Sequence, residues 1–137
     1  SLLQIPFILS IIGDGEKVGV ITADSRSLDA ALLGALNIAG TDRLVIEGLE
    51  DKPHFYRFAI EESGDLDPSL VEAEVVEAGR QLVARDGSVR AVLLECSLLP
   101  PYAAALAEAI RMPVFDYITM INYVYSAVVK QRYSGYL

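Results

Sequence analysis

Short apolar runs alternate along this chain with stretches of helical spacing. Three runs are rich in Val, Ile and Leu and are bounded by turn residues: KVGVITA (17–23), RLVIEGL (43–49) and VRAVLLEC (89–96). Nearly continuous apolar character predicts strands that are covered on both faces, because a half-exposed strand would alternate apolar and polar residues. A shorter fourth strand is predicted at MPVFD (112–116).

The clearest helix is predicted between the second and third of these strands, at residues 67–87. Asp67 is a suitable N-cap, Pro68 suits the first helical position, and Gly87 ends the pattern. The residues that form one apolar face at helical spacing are Val71, Val75, Ala78 and Leu82.

Shorter helical patterns fill most of the other connections, at 27–40, 101–111 and 117–132. Residues 50–67 are polar and predict a long loop, with a short strand at 55–60. Strands joined by helices of this length form right-handed parallel crossovers. The chain therefore predicts one α/β lobe over 1–137: an open, mainly parallel four-stranded sheet with helices on both faces, flavodoxin-like in type.

The first and last predicted helices have more apolar surface than one core can cover. Residues 2–12 form an apolar helical segment interrupted by Pro6, and the helix at 117–132 is apolar on several sides. A helix of that kind is normally buried from several directions. We therefore expect a further covering layer, from a second lobe or another subunit.

Composition narrows the classes of function. A net charge of −8 disfavours nucleic acid and anionic membrane as partners, since both attract a positive surface. The most apolar segments are too short, or carry too many polar residues, to predict a membrane span. One cysteine and one histidine predict neither a disulfide nor a metal site and indicate a reducing, cytoplasmic setting.

The third strand ends in Glu95 and Cys96, where parallel sheets bind ligands. A carboxylate such as Glu95 is costly inside a covered strand, so we expect both residues at the exposed end. Pro101 fits the first turn of the next helix, whose N-terminus would bind an anion and lower the thiol pKa. The alternative is that Cys96 is a small buried apolar residue.

The stretch from Cys96 through PPYAAALAEA to PVFD closely resembles the C-terminal part of the Asp/Glu/hydantoin racemase superfamily. SLLQIPFILS and KVGVITADSRSLDAALLGAL resemble the middle of the same proteins. The resemblance implies a cofactor-independent isomerase, a racemase or epimerase of two similar α/β lobes. In that family each lobe supplies one cysteine, and the two thiols act on the α-carbon of a small carboxylate-bearing substrate.

Transferred by position, the resemblance makes Cys96 one catalytic acid/base and assigns Ser97, Thr22 and Glu95 to substrate binding. Glu95 departs from the family, since many members have Gly before this cysteine. The chain has only one cysteine, so it is predicted to be the C-terminal portion of a two-lobe protein. We expect its partner to be a missing N-terminal lobe or a second copy, and the isolated chain to be inactive.

Two other functions fit the same residues. One is a single-cysteine decarboxylase of the same superfamily, in which one thiol protonates a carbanion. The other is a non-catalytic α/β module that binds a small anion or a partner, with Cys96 merely buried.

Overall fold

The computed structural model describes residues 1–63 and 65–135 as an α/β fold. The strands are β1 (Lys17–Thr22), β2 (Leu44–Gly48), β3 (Val89–Leu94) and β4 (Val114–Phe115). The helices are α1 (Ile5–Ile11), α2 (Ala30–Ala35), α3 (Pro53–Ala59), α4 (Pro68–Arg85), α5 (Ala103–Ile110) and α6 (Tyr117–Val128).

The four strands form one parallel sheet in the order β2-β1-β3-β4. In the register, Val20 lies between Ile46 of β2 and Leu93 of β3. The chain passes from β1 outward to β2 and then returns across β1 to β3. The topological switch point therefore lies between the ends of β1 and β3, which is where open α/β sheets bind ligands.

Helices cover both faces of this sheet. α1 and α2 pack on one face, where Ile5, Ile8 and Leu33 join the side chains of Val18 and Val20. The longer α4 covers the other face together with α3 and α5, and its fully buried residues contact strand side chains such as Val92 and Leu94. The predicted open α/β sheet with helices on both faces is thus confirmed.

Two helix starts follow the sequence signals. The Asp67 carboxylate accepts hydrogen bonds from the amides of Ser69 (3.0 Å) and Leu70 (3.2 Å), and α4 begins at the next residue, Pro68. Asp116 caps α6 in the same way by accepting from the Thr119 amide at 2.7 Å. Asp67 was therefore the correct signal for the start of α4, and the helix predicted from residue 117 does begin at Tyr117.

The strand predicted at 55–60 is wrong, because this segment belongs to α3. Pro53 occupies its first turn, and the carboxylate of Glu74 on α4 accepts from the amides of His54 (2.9 Å) and Phe55 (2.8 Å). This cap comes from a residue remote in sequence, so no local pattern indicated it.

The helices predicted at 27–40, 101–111 and 117–132 are all shorter than expected, and the last of them ends at Val128. The pattern at 27–40 contains only Ala30–Ala35 as α-helix, because Asp29 provides the N-cap and Asn37 takes a left-handed φ of 53° just beyond the end. The pattern at 101–111 begins with a 3-10 turn (Pro100–Tyr102), and its α-helix starts only at Ala103.

One surface of the domain is strongly apolar. Leu3, Phe7, Met120, Tyr123 and Val124 line a groove of about 300 Å³ between the N-terminal segment and α6, and we call this surface the α1/α6 face. The rings of its two aromatic residues stack with centroids 6.0 Å apart, yet Tyr123 is 70% exposed. No helix among residues 1–63 and 65–135 has the length and apolar character needed to cross a membrane.

Candidate functional site

The switch point is built around Thr22, the last residue of β1, and Glu95, the first residue after β3. The buried Thr22 hydroxyl donates to the Glu95 carboxylate (Oγ1 to Oε2, 3.0 Å). The Glu95 amide donates to the Ile21 carbonyl at 2.8 Å, and the Ser1 hydroxyl donates to the Glu95 carbonyl at 2.8 Å. Glu95 is therefore fixed through both its backbone and its side chain.

Cys96 follows directly and is half-buried. It packs against the core on the α4 side of the sheet, and its carbonyl accepts from the Leu99 amide at 3.1 Å, which closes a tight turn. Burial raises the pKa of the Cys96 thiol, a hydrogen bond from the Leu98 amide acts in the opposite direction, and the charge of Glu95 raises it further.

The expected lowering of this pKa by a helix N-terminus is therefore wrong. The turn after Cys96 and the 3-10 turn (Pro100–Tyr102) separate the thiol from the start of α5 at Ala103. Because the helix dipole falls off within its first turn, it does not offset burial at this distance along the chain. The thiol is in the predicted place at the carboxyl end of β3, but with the opposite shift in pKa.

Ser97 is exposed and lines a shallow pocket of about 400 Å³. The walls of the pocket come from α3, the connection before α4, the turn after β3 and the start of α6. Of the four candidate residues, Thr22, Glu95 and Cys96 lie together at the switch point, whereas Ser97 faces this neighbouring pocket. The other residues that line the pocket beside Ser97 are Phe58, Leu66, Leu98, Pro100, Pro101, Tyr102, Tyr117 and Ile118.

Sequence reasoning missed a second polar pair at this end of the sheet. The Ser25 amide (3.1 Å) and hydroxyl both donate to the Glu50 carboxylate. Burial tends to raise the pKa of Glu50, but these hydrogen bonds outweigh it and leave that pKa lowered. Ser25 follows the end of β1 and Glu50 follows the end of β2. These positions were the signal in the sequence that could have indicated the pair.

The arrangement contains no evident metal site. Across residues 1–63 and 65–135, no three His, Cys, Asp or Glu side chains are grouped so that they could hold an ion. The single histidine, His54, is exposed at the start of α3. The site as described thus offers a thiol, a fixed carboxylate and hydroxyl groups.

The chain is similar to several proteins named dimethylsulfoniopropionate lyase. Dimethylsulfoniopropionate lyase 5 of Emiliania huxleyi (strain CCMP1516) is 35% identical over 133 residues, which cover 93% of the chain and 26% of that relative. Dimethylsulfoniopropionate lyase 7 of the same strain is 34% identical over 131 residues (89% of the chain, 38% of the relative). A dimethylsulfoniopropionate lyase of Durusdinium sp. clade D is 28% identical over 127 residues (90% and 42%).

These matches leave much of each relative unaccounted for, since the chain spans between about a quarter and two fifths of their lengths. No family model matches the chain. No solved structure matches it either.

The matches overturn the functional interpretation of the sequence. The racemase resemblance and the isomerase activity that it implied are wrong, because the similar proteins are named as lyases. The decarboxylase alternative is not supported by these names, and a non-catalytic module is not supported by similarity to enzymes. The predicted roles of Cys96, Ser97, Thr22 and Glu95 do not depend on an isomerase and stay predictions.

Proposed function

We propose that this chain supplies one side of the active site of a carbon–sulfur lyase that cleaves dimethylsulfoniopropionate. The observation that carries the proposal is the match to proteins of that name over 93% of the chain. The unmatched 7% of the chain is too short to extend from either end to Cys96, so the switch point lies within the matched region.

The name of the substrate defines the chemistry. Dimethylsulfoniopropionate has a carboxylate, an α-carbon, a β-carbon and a positively charged sulfur that bears two methyl groups. In a β-elimination, a base removes a proton from the α-carbon and the C–H electron pair forms the double bond to the β-carbon. The carbon–sulfur electron pair leaves with the sulfur. The products are acrylate, neutral dimethyl sulfide and a proton on the base.

Cys96 is the residue that we assign as this base. Its thiol lies at the carboxyl end of β3, beside the switch point, and it is the single cysteine of the chain. A thiolate with a raised pKa is a stronger base toward a weakly acidic C–H group, although a smaller fraction is ionised at neutral pH. A cationic substrate favours ionisation, because an opposite charge nearby lowers the pKa of an acid.

Ser97 is assigned to the substrate carboxylate. Its exposed side chain carries a hydroxyl donor next to Cys96 in the chain and faces the 400 Å³ pocket. Ser97 directly follows Cys96 in the chain, so we assign to it the carboxylate, which is bonded to the α-carbon on which the thiol acts. Thr22 has a positioning role, because its hydroxyl fixes the Glu95 carboxylate.

The test is release of dimethyl sulfide and acrylate from dimethylsulfoniopropionate by the full-length protein, measured by headspace gas chromatography and liquid chromatography. Loss of a general base should lower kcat by about 10²- to 10⁴-fold in Cys96→Ala. Ser69→Ala, an exposed hydroxyl on α4, is the matched control and should keep full activity. Absence of both products from the unaltered protein would refute the function, and full activity in Cys96→Ala would refute the assigned base.

We further propose that a second folded unit covers the α1/α6 face in the functional protein, as a further lobe or a second copy. The support is the exposure of large apolar side chains there, including Phe7 (51%), Tyr123 (70%) and Val124 (51%). Contiguous apolar surface of this kind marks interaction sites. The greater length of the relatives is compatible with a further lobe.

Hydrogen exchange of the full-length protein tests this second proposal. The α6 amides should exchange slowly, and Phe7→Glu should accelerate them without affecting the amides of α4. Dependence of this protection on protein concentration would identify a second copy, whereas protection without such dependence would identify a further lobe. Fast exchange of α6 in the unaltered protein at every concentration would contradict the proposal.

A further inference from the structure

Glu95, which directly precedes Cys96 in the chain, has a carboxylate whose position is fixed. Its Oε2 accepts from the Thr22 hydroxyl at 3.0 Å, and Thr22 is only 3% exposed, so that hydroxyl has little freedom to move. The backbone of Glu95 is bound on both sides by Ile21 and Ser1. The position of the negative charge is therefore set before a ligand arrives.

Within the described part of the chain, no Lys or Arg side chain pairs with Glu95. Two basic residues near the carboxyl ends of the strands are already paired: Arg26 with Asp24 at 2.7 Å and Lys52 with Glu77 at 2.9 Å. The Glu95 carboxylate is half-buried, and a charge that is partly removed from water interacts more strongly with an opposite charge. The site thus has an uncompensated negative charge next to its candidate base.

We propose that Glu95, positioned by Thr22, binds the sulfonium group of the substrate and makes the site specific for a cationic leaving group. This inference rests on the proposed lyase function. A trisubstituted sulfonium has no N–H or O–H group to donate, so the protein must recognise it by charge. The hydrogen bond from Thr22 already fixes Glu95, so the carboxylate needs no donor from the ligand to hold its orientation.

The location of Glu95 fits the substrate. In dimethylsulfoniopropionate a single carbon separates the α-carbon from the sulfur, so the base and the cation-binding group must be neighbours. Cys96 and Glu95 are adjacent in the chain, and the charge of Glu95 acts on the thiol. A sulfonium bound to the carboxylate would cancel that charge and favour the thiolate when substrate is present.

The experiment compares two unreactive ligands of similar shape in the full-length protein by isothermal titration calorimetry. One is 3-(trimethylammonio)propanoate, which carries a cation in place of the sulfonium, and the other is 4,4-dimethylpentanoate, in which a neutral tert-butyl group replaces the trimethylammonio group. The unaltered protein should bind the cationic ligand at least about tenfold more tightly, which is a modest effect for a partly buried charge pair.

Three variants locate the origin of this preference. In Glu95→Gln the preference for the cation should fall to near unity, while binding of 4,4-dimethylpentanoate is kept. Thr22→Val should give an intermediate preference, since the carboxylate remains but loses its fixed position. Glu108→Gln removes an equal charge from the exposed surface of α5 and should leave the preference unchanged. Urea unfolding of each variant identifies any general loss of fold.

The outcomes separate this inference from the lyase proposal. Release of dimethyl sulfide together with a cation preference that survives in Glu95→Gln would overturn the sulfonium site and leave the lyase function standing. A preference that depends on Glu95 without any release of dimethyl sulfide would support the cation site and refute the lyase. Equal weakening of both ligands in Glu95→Gln, or no binding of either ligand to the unaltered protein, would overturn the inference.

Discussion

Glu74 shows how the fold supports one wall of the candidate site. Its carboxylate lies on α4, is 8% exposed, and accepts from the amides of His54 (2.9 Å) and Phe55 (2.8 Å) at the start of α3. α3 also carries Phe58, which lines the pocket beside Ser97. Replacing Glu74 with Ala should therefore destabilise α3 first and disturb that pocket with it.

The magnitude follows from the two amides. Phe55 is fully buried, and a buried donor left without a partner costs about 1–3 kcal/mol. His54 is exposed, so water can replace its lost bond, and the remaining effect is that of a lost helix cap, about 1 kcal/mol. Together these terms give a loss of roughly 2–4 kcal/mol for Glu74→Ala.

Urea unfolding measures this loss as a lower midpoint at unchanged slope. Glu72→Ala, an exposed carboxylate on the same helix, is the control and should change the free energy of unfolding by less than about 0.5 kcal/mol. Glu74→Gln keeps one acceptor oxygen and should lie between the two. If Glu74→Ala matched the Glu72→Ala control and the α3 amides stayed protected from exchange, the proposed role of the cap would be wrong.

Two further predictions concern ionisation. Because the pKa of Cys96 is raised, the rate of its alkylation by iodoacetamide should increase steadily through neutral pH, with a midpoint above the free-cysteine value of about 8.5. Glu95→Gln should lower that midpoint, because it removes the nearby negative charge. A midpoint below the free-cysteine value in the unaltered chain would contradict the structure. Lys17 holds the pKa of Asp86 well below its usual range, so this pair stabilises the fold above the unfolded carboxyl pKa and loses that effect as the pH falls. Asp86→Asn should therefore lower the urea midpoint at pH 7, and the difference in midpoint from the unaltered chain should shrink below about pH 4. If that difference did not change with pH, the ion pair with Lys17 would not be its cause.

The sequence predicted the features that depend on local pattern. The two central strands, β1 and β3, were recognisable because both of their faces are largely buried, and α4 because Asp67 caps it locally. α3 was missed because its cap, Glu74, lies on another helix and becomes a partner only after folding.

The candidate site was predicted in position but not in its electrostatics. Glu95 and Cys96 were predicted at the exposed end of the third strand, because a carboxylate is costly inside a covered strand. The structure has both residues just beyond that end, since β3 ends at Leu94. The direction of the thiol pKa was wrong because a turn and Pro100–Tyr102 delay the next helix, and sequence pattern alone did not show that delay. The pairing of Thr22 with Glu95 depends on strand order, which the sequence did not define.

A chain of hydrogen bonds connects Glu95 to α6. The Ser1 hydroxyl binds the Glu95 carbonyl (2.8 Å), and the Gln4 side-chain amide binds the Ser1 carbonyl (3.4 Å) and the Asp116 carbonyl (2.7 Å). Asp116 in turn caps α6. A substrate that shifts Glu95 would thus perturb the surface where a second unit is proposed to dock. Thermodynamic reciprocity then requires that any change in substrate affinity caused by docking be matched by an equal change in docking affinity caused by substrate.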